Sequence, residues 1–190
     1  MPITDVIEQK RNELDAFKGM GLQLGKSGIT GEAFVDKAKR EERQYELFDR
    51  LLKFCVKNTN ASSGVFIYDK SFRALADPIC DNIDEGTALY LRDTLSRQVN
   101  ISGAINVQDL NKDHALDSSK LAFRSLYSHN IKLSTPKASG TPETKVLGYL
   151  FLLKKYSKGF DDYMADLVRA YIKQVEVVTN NAKRLDSVIE

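Results

Sequence analysis

Two cysteines in 190 residues, near balance of charge and no long apolar run together remove several classes of function. Cys55 lies in a helical apolar stripe and Cys80 shortly after a proline, so neither metal-knuckle nor redox spacing exists, and a reducing compartment fits best. Twenty-eight basic against twenty-six acidic residues leave a net charge of +2, too small and too interspersed for a nucleic-acid face. No stretch reaches the roughly 18 to 20 apolar residues that cross a bilayer. The opening MPITDVIEQKRNELD is charged where a signal peptide is apolar. The expectation is a soluble, cytoplasmic protein with neither nucleic acid nor membrane as partner.

Hydrophobic residues make up 42% of the chain, enough for a globular core without metal or disulfide staples. The stretch GMGLQLGKSG, Gly19 to Gly28, resembles a phosphate loop but fails its geometry. Such a loop needs four residues between its first glycine and Gly-Lys-Ser, because that length wraps backbone N–H groups around phosphate. Gly21 is one residue too close to Gly25 and Gly19 one too far, and the preceding Ile3, Ile7, Leu14 and Phe17 are spaced as a helix where a strand is required. The stretch reads as a hinge between an N-terminal helical extension, residues 1–30, and a domain over residues 31–190.

Within that domain a helix is expected from Thr30 to about Asn58, with Phe34, Ala38, Glu41, Tyr45, Phe48, Leu52 and Cys55 at alternating spacings of four and three. SSGVFIYDK changes the period to two and reads as a strand, and FRALADPI as a second one that Pro78 confines to an edge or end. Helix is expected from Asp84 to Gln98, a short strand over GAINVQDL, and a short helix over KLAFRSLYSHN. IKLSTP and KVLGYLFLLKK follow as strands joined by a turn. The second is apolar on both faces, Leu147, Tyr149 and Phe151 against Val146, Leu150 and Leu152, so it belongs in the middle of a sheet. From about Asp161 a last helix carries Met164, Val168, Tyr171, Val175, Val178, Ala182, Leu185 and Ile189 in an unbroken heptad stripe, a coiled-coil signal.

This order of elements resembles the GAF sensory domain over about residues 31 to 185, and most closely from Phe123 onward. The residues that carry the resemblance are Phe123-Arg124-Ser125, the strand Ile131 to Pro136, Val146-Leu147-Gly148-Tyr149-Leu150, the spacer Lys154 to Gly159, and Phe160-Asp161-Asp162. Thr135 and Lys137 flank the proline where the family usually has apolar residues. Neither cysteine precedes a histidine, so the bilin-holding pair is absent, as are the cysteine pattern of the free-methionine-sulfoxide reductases and the cyclic-nucleotide motif. The resemblance implies an α+β fold: a GAF-like central antiparallel sheet with long N- and C-terminal helices on one face and a short helix and loop cover on the other.

A GAF-like domain holds small molecules between sheet and cover, which here points to Phe66, Tyr68, Asp109, Phe123, Arg124, Lys132 and Tyr149 as lining residues. Arg124 and Lys132 suit an anionic ligand, and the opposing reading is that the aromatics fill the core and the cations are solvated. His114 and His129 with Asp109, Asp113 and Asp117 form the only metal candidate in the sequence, and solvated loop side chains are the commoner explanation. Ser118 and Ser119 lack a nucleophile elbow, and the acidic setting of Cys80 raises its thiol pKa, so no catalytic residue and no cofactor is assigned. Heptad stripes on both flanking helices predict a homodimer through Phe34, Tyr45, Phe48, Leu52, Tyr171, Val175, Val178 and Leu185, unless the stripes only cover the sheet. With no kinase, cyclase or DNA-binding unit in the chain, the expected function is a small-molecule-sensing regulatory module, not an enzyme, acting on a separate effector protein through its terminal helices. The alternatives are a degenerate GAF scaffold for dimerisation or adaptor binding and, further off, a small enzyme on the same fold.

Overall fold

The computed structural model describes residues 37–72, 77–113, 116–135 and 137–189; the glycine-rich hinge, Phe34, His114 and the side chain of Leu185 lie outside the described residues. Contacts divide the chain into two units, Phe48–Arg169 and, separately, Met1–Leu47 with Ala170–Glu190. Three helices are described, α1 (Lys37–Thr59), α2 (Glu85–Ser102) and α3 (Asp162–Ile189), with strands β1 (Ser63–Tyr68), β2 (Ile79–Asp81), β3 (Ala104–Val107), β4 (Ser125–Thr135) and β5 (Glu143–Lys154). None of the described helices is long and apolar enough to cross a membrane.

The unit Phe48–Arg169 is built on one antiparallel sheet in the order β2-β1-β5-β4-β3. The strand with two apolar faces, β5, is central as its composition requires, and it is buried without interruption from Leu147 to Lys154. One face of the sheet presents Val65, Ile67, Leu126, Tyr149, Phe151 and Leu153 to Ala88, Leu91, Leu95 and Val99 of α2. Those four helix positions recur at three and four residues, so a single stripe of α2 meets the sheet. Leu110, Leu116 and Leu121 of the long β3–β4 connection complete this layer. On the other face Phe66 stacks on Phe48 of α1 with ring centroids 4.2 Å apart, and Tyr68 meets both rings edge-on.

Local chemistry fixes α2 at both ends. The Asp84 carboxylate accepts from the Thr87 backbone N–H at 2.8 Å and the Thr87 hydroxyl at 2.6 Å, while Gly103 closes the helix at φ 80, a left-handed conformation that a side chain resists. In β5 the glycine answers to a close approach. A Cβ on Gly148 would lie 2.5 Å from the Ile67 carbonyl oxygen and 3.0 Å from the Phe66 ring, so no larger residue fits there unshifted.

Two expected elements are corrected. The segment KLAFRSLYSHN is not a short helix: after a single 3-10 turn at Ser118–Lys120, β4 begins at Ser125 and pairs with β5 from Ser125↔Lys154 to Thr135↔Glu143. Pairing along eleven residues outweighs the local helical preference of Leu121 to Tyr127. Of the segment FRALADPI, Ile79 alone is described in a strand, β2 at Ile79–Asp81, and residues 73–76 lie outside the described residues. Pro78 has no N–H for a ladder, so pairing to β1 starts one residue later, at Phe66↔Ile79.

Candidate functional site: a polar seam under α2

Beneath the C-terminal half of α2, the sheet face that is otherwise apolar carries a row of polar groups. The Tyr149 hydroxyl donates to Asp69 Oδ1 at 2.7 Å and accepts from Asn100 Nδ2 at 2.8 Å. Asn130, beside Tyr149 in the β4–β5 register, donates to Asn100 Oδ1 at 3.5 Å, and Ser128 stands two residues along the same strand face, beside Phe151. Ser128 is fully buried and Asn130 is 1% exposed, yet Ser128 Oγ and Asn130 Oδ1 have no hydrogen-bond partner among the described residues. An uncompensated buried polar group costs about 1–3 kcal/mol, so two side by side demand an occupant or a reason. The opposite end of the row opens outward, because Asn100 is exposed and Asp69 half-buried.

Electrostatics follow from this arrangement. Burial, and then the hydrogen bond to Asp69, push the Tyr149 phenol up to about 12. Burial alone would raise the Asp69 carboxyl. The Ser71 backbone N–H, the Tyr149 and Ser71 hydroxyls and the nearby Arg92 charge outweigh it and hold Asp69 below its ordinary value. Asp69 is therefore an anion, fixed in place by the turn after β1, and Tyr149 a neutral donor. Among the described residues the seam contains acceptors, amides and hydroxyls, with the Arg92 charge close enough to act on Asp69 and Tyr149.

Only part of the residue set expected from sequence meets here. Tyr149 lies in the seam. Phe66 and Tyr68 stand on the opposite sheet face, because β1 gives Val65 and Ile67 to the α2 side and its alternation sends the two aromatics to α1. Asp109 and Arg124 form an ion pair at 3.3 Å in the long connection, and that guanidinium, through its hydrogen bonds, holds the Asp109 carboxyl below its usual range. Phe123 is half-buried against the apolar cluster, and Lys132 is exposed beyond a bulge at Ile131/Lys132. Arg124 and Lys132 are thus not gathered with Tyr149 around one anion. In the sequence Ser128 and Asn130 are hidden by the helical pattern of KLAFRSLYSHN, and Asp69 and Asn100 by their distance along the chain from Tyr149. Positions 128 and 130 share a face only in a strand.

Other candidates resolve into structural roles. Among the described residues no group of three or more His, Cys, Asp or Glu side chains is placed to hold a metal ion. Burial raises both thiols, with Glu85 and Asp84 adding to the effect at Cys80. Ser119 donates its backbone N–H and its hydroxyl to Asp117, a local turn contact. Of the stripe assigned to a dimer, Phe48 and Leu52 are buried in the Phe48–Arg169 unit and Tyr171 and Val175 are buried in the single chain, whereas Tyr45 is 46% exposed and Val178 half-buried.

No protein-family model and no curated protein matches the chain. Solved structures do. The GAF domain/HD domain protein from Geobacter sulfurreducens aligns with a TM-score of 0.56 at 12% identity, covering 78% of this chain and 99% of that one. The fold is that of GAF domains. The GAF domain of an Acinetobacter phosphoenolpyruvate-protein phosphotransferase (TM-score 0.52, 10% identity, 87% and 93% covered) agrees, as does that of the corresponding Coxiella burnetii protein (0.52, 12%, 90% and 97%). At such identities the likeness carries the GAF architecture and neither a role nor a ligand.

Proposed function

We propose that this chain is a non-catalytic, small-molecule-sensing GAF module whose ligand sits in the polar seam under α2. The observation that carries the reading is the pair of buried, unpartnered oxygens, Ser128 Oγ and Asn130 Oδ1, next to the Tyr149–Asp69 hydrogen bond. Asn130 Oδ1 lacks a donor among the described residues, and the Asp69 carboxylate at the outer end of the row repels an anionic ligand. The occupant is accordingly a small, uncharged molecule that presents hydrogen-bond donors. The module works as a cytoplasmic homodimer and acts on a separate effector protein through α1 and α3. A ligand that favours one helix arrangement over another shifts their populations, and nothing more is needed for a signal.

A second reading has an observation of its own. The layer between sheet and α2 is filled by Leu91, Leu95, Val99, Leu110, Phe151 and Leu153, as in a scaffold that has lost its ligand. Native mass spectrometry of the gently purified chain, beside a Ser128→Ala/Asn130→Leu variant, separates the two. A dimer carrying a small adduct that the variant loses supports sensing. A bare dimer from both proteins supports the scaffold, and a monomer defeats the dimer in either form.

A further inference from the structure

A second site, away from the seam, lies where the long β3–β4 connection meets the loop between β5 and α3. A cleft of about 330 Å³ there is lined by Gln108, Asp109, Lys112, Asp113, Ser157 and Lys158. Among the described residues its carboxylates have partners while its ammonium groups are not ion-paired. Asp109 is matched by Arg124, with the Lys112 charge also acting on it from a distance, and Asp113 is engaged in an interaction of its own. Lys112 and Lys158 form no ion pair among the described residues. The cleft therefore offers two ammonium groups and the Ser157 hydroxyl, a set of donors suited to a compact oxyanion.

Backbone conformation points the same way. Lys158 has φ 53, and the other non-glycine residues described with positive φ are both asparagines, Asn60 and Asn82, which tolerate that region better. A lysine held in the left-handed region at the wall of a cleft keeps its cation there against the local steric preference. The two walls are also tied together. The Lys158 N–H donates to the Gln108 carbonyl at 2.7 Å, and Asn106 Nδ2 and Gln108 Nε2 both donate to the Phe160 carbonyl, at 3.0 and 3.3 Å. Directly after Phe160, Asp161 caps the first turn of α3 by accepting from the Met164 N–H at 2.8 Å.

We propose that this cleft binds the phosphate group of a small molecule between Lys112 and Lys158, and that occupancy stiffens the first turn of α3. The site is independent of the seam and of its ligand. The probe is inorganic phosphate, titrated into the full chain at constant ionic strength with chloride as the control and amide shifts followed by NMR. Saturable shifts are expected at Gln108–Asp113 and Ser157–Gly159, together with slower hydrogen exchange at Met164 and Ala165. Lys112→Gln should weaken binding at least tenfold. Lys158→Gly should do the same without lowering Tm, since glycine suits that backbone, so lost binding cannot be ascribed to unfolding. Shifts that do not saturate, that chloride reproduces, or that persist unchanged in both variants would overturn the proposal.

Discussion

The two faces of the sheet are packed by different rules. On the α1 side Phe48, Phe66 and Tyr68 interlock as rings. On the α2 side an equally apolar layer is broken by a polar row running from Ser128 to Asp69. A face that only has to hold the fold together gains nothing from leaving buried oxygens unpartnered. The contrast separates a side packed throughout by rings from the side that carries the proposed ligand site, and substitutions divide accordingly.

The largest effect should come from the ring face. Phe48→Ala removes the ring stacked on Phe66 and should cost about 3–5 kcal/mol in urea unfolding, a loss of cavity type that no ligand restores. Gly148→Ala comes next, at roughly 1–3 kcal/mol, because the added methyl meets the Ile67 carbonyl oxygen and the Phe66 ring. On the polar face Tyr149→Phe should cost only about 1 kcal/mol, since Asn100 is exposed and can turn to water. If Tyr149→Phe proved as costly as Phe48→Ala, the division between the faces would fail.

The same residue gives a pH signature. Its phenol is raised in the folded protein to about 12 from an ordinary 10, so its contribution is complete below pH 10 and is lost as pH rises through 12. Absorbance titration near 295 nm should show a late-ionising tyrosine that disappears in Tyr149→Phe. Smallest of all, Ser128→Ala should leave stability within about 1 kcal/mol or raise it, because the hydroxyl it deletes has no partner, while ligand binding is lost. A Ser128→Ala protein that is strongly destabilised would mean the hydroxyl serves the fold.

Sequence revealed the frame better than the site. Val146 to Leu152, apolar on both faces, could only be a central strand, and the heptad run from Met164 could only be a helix. Alternation in VFIY was visible, but which of its two sides would face α2 was not. Both sides are apolar, and the choice is made by pairing with β5, where Ile67 lies opposite Tyr149. The seam was hidden by the local helical pattern of Leu121 to Tyr127, which hid the strand that aligns Ser128 with Asn130. Asp69 and Tyr149, eighty residues apart, meet only through the fold.

The most direct test of the polar face as a ligand site is an NMR screen of small uncharged hydrogen-bond donors, read at the side-chain amides of Asn100 and Asn130. Binders should shift both amides together, leave the Phe48–Phe66 cluster unmoved, and lose their effect in Asn130→Leu. Binders that act elsewhere, or that shift the remaining Asn100 amide equally in Asn130→Leu, would contradict it.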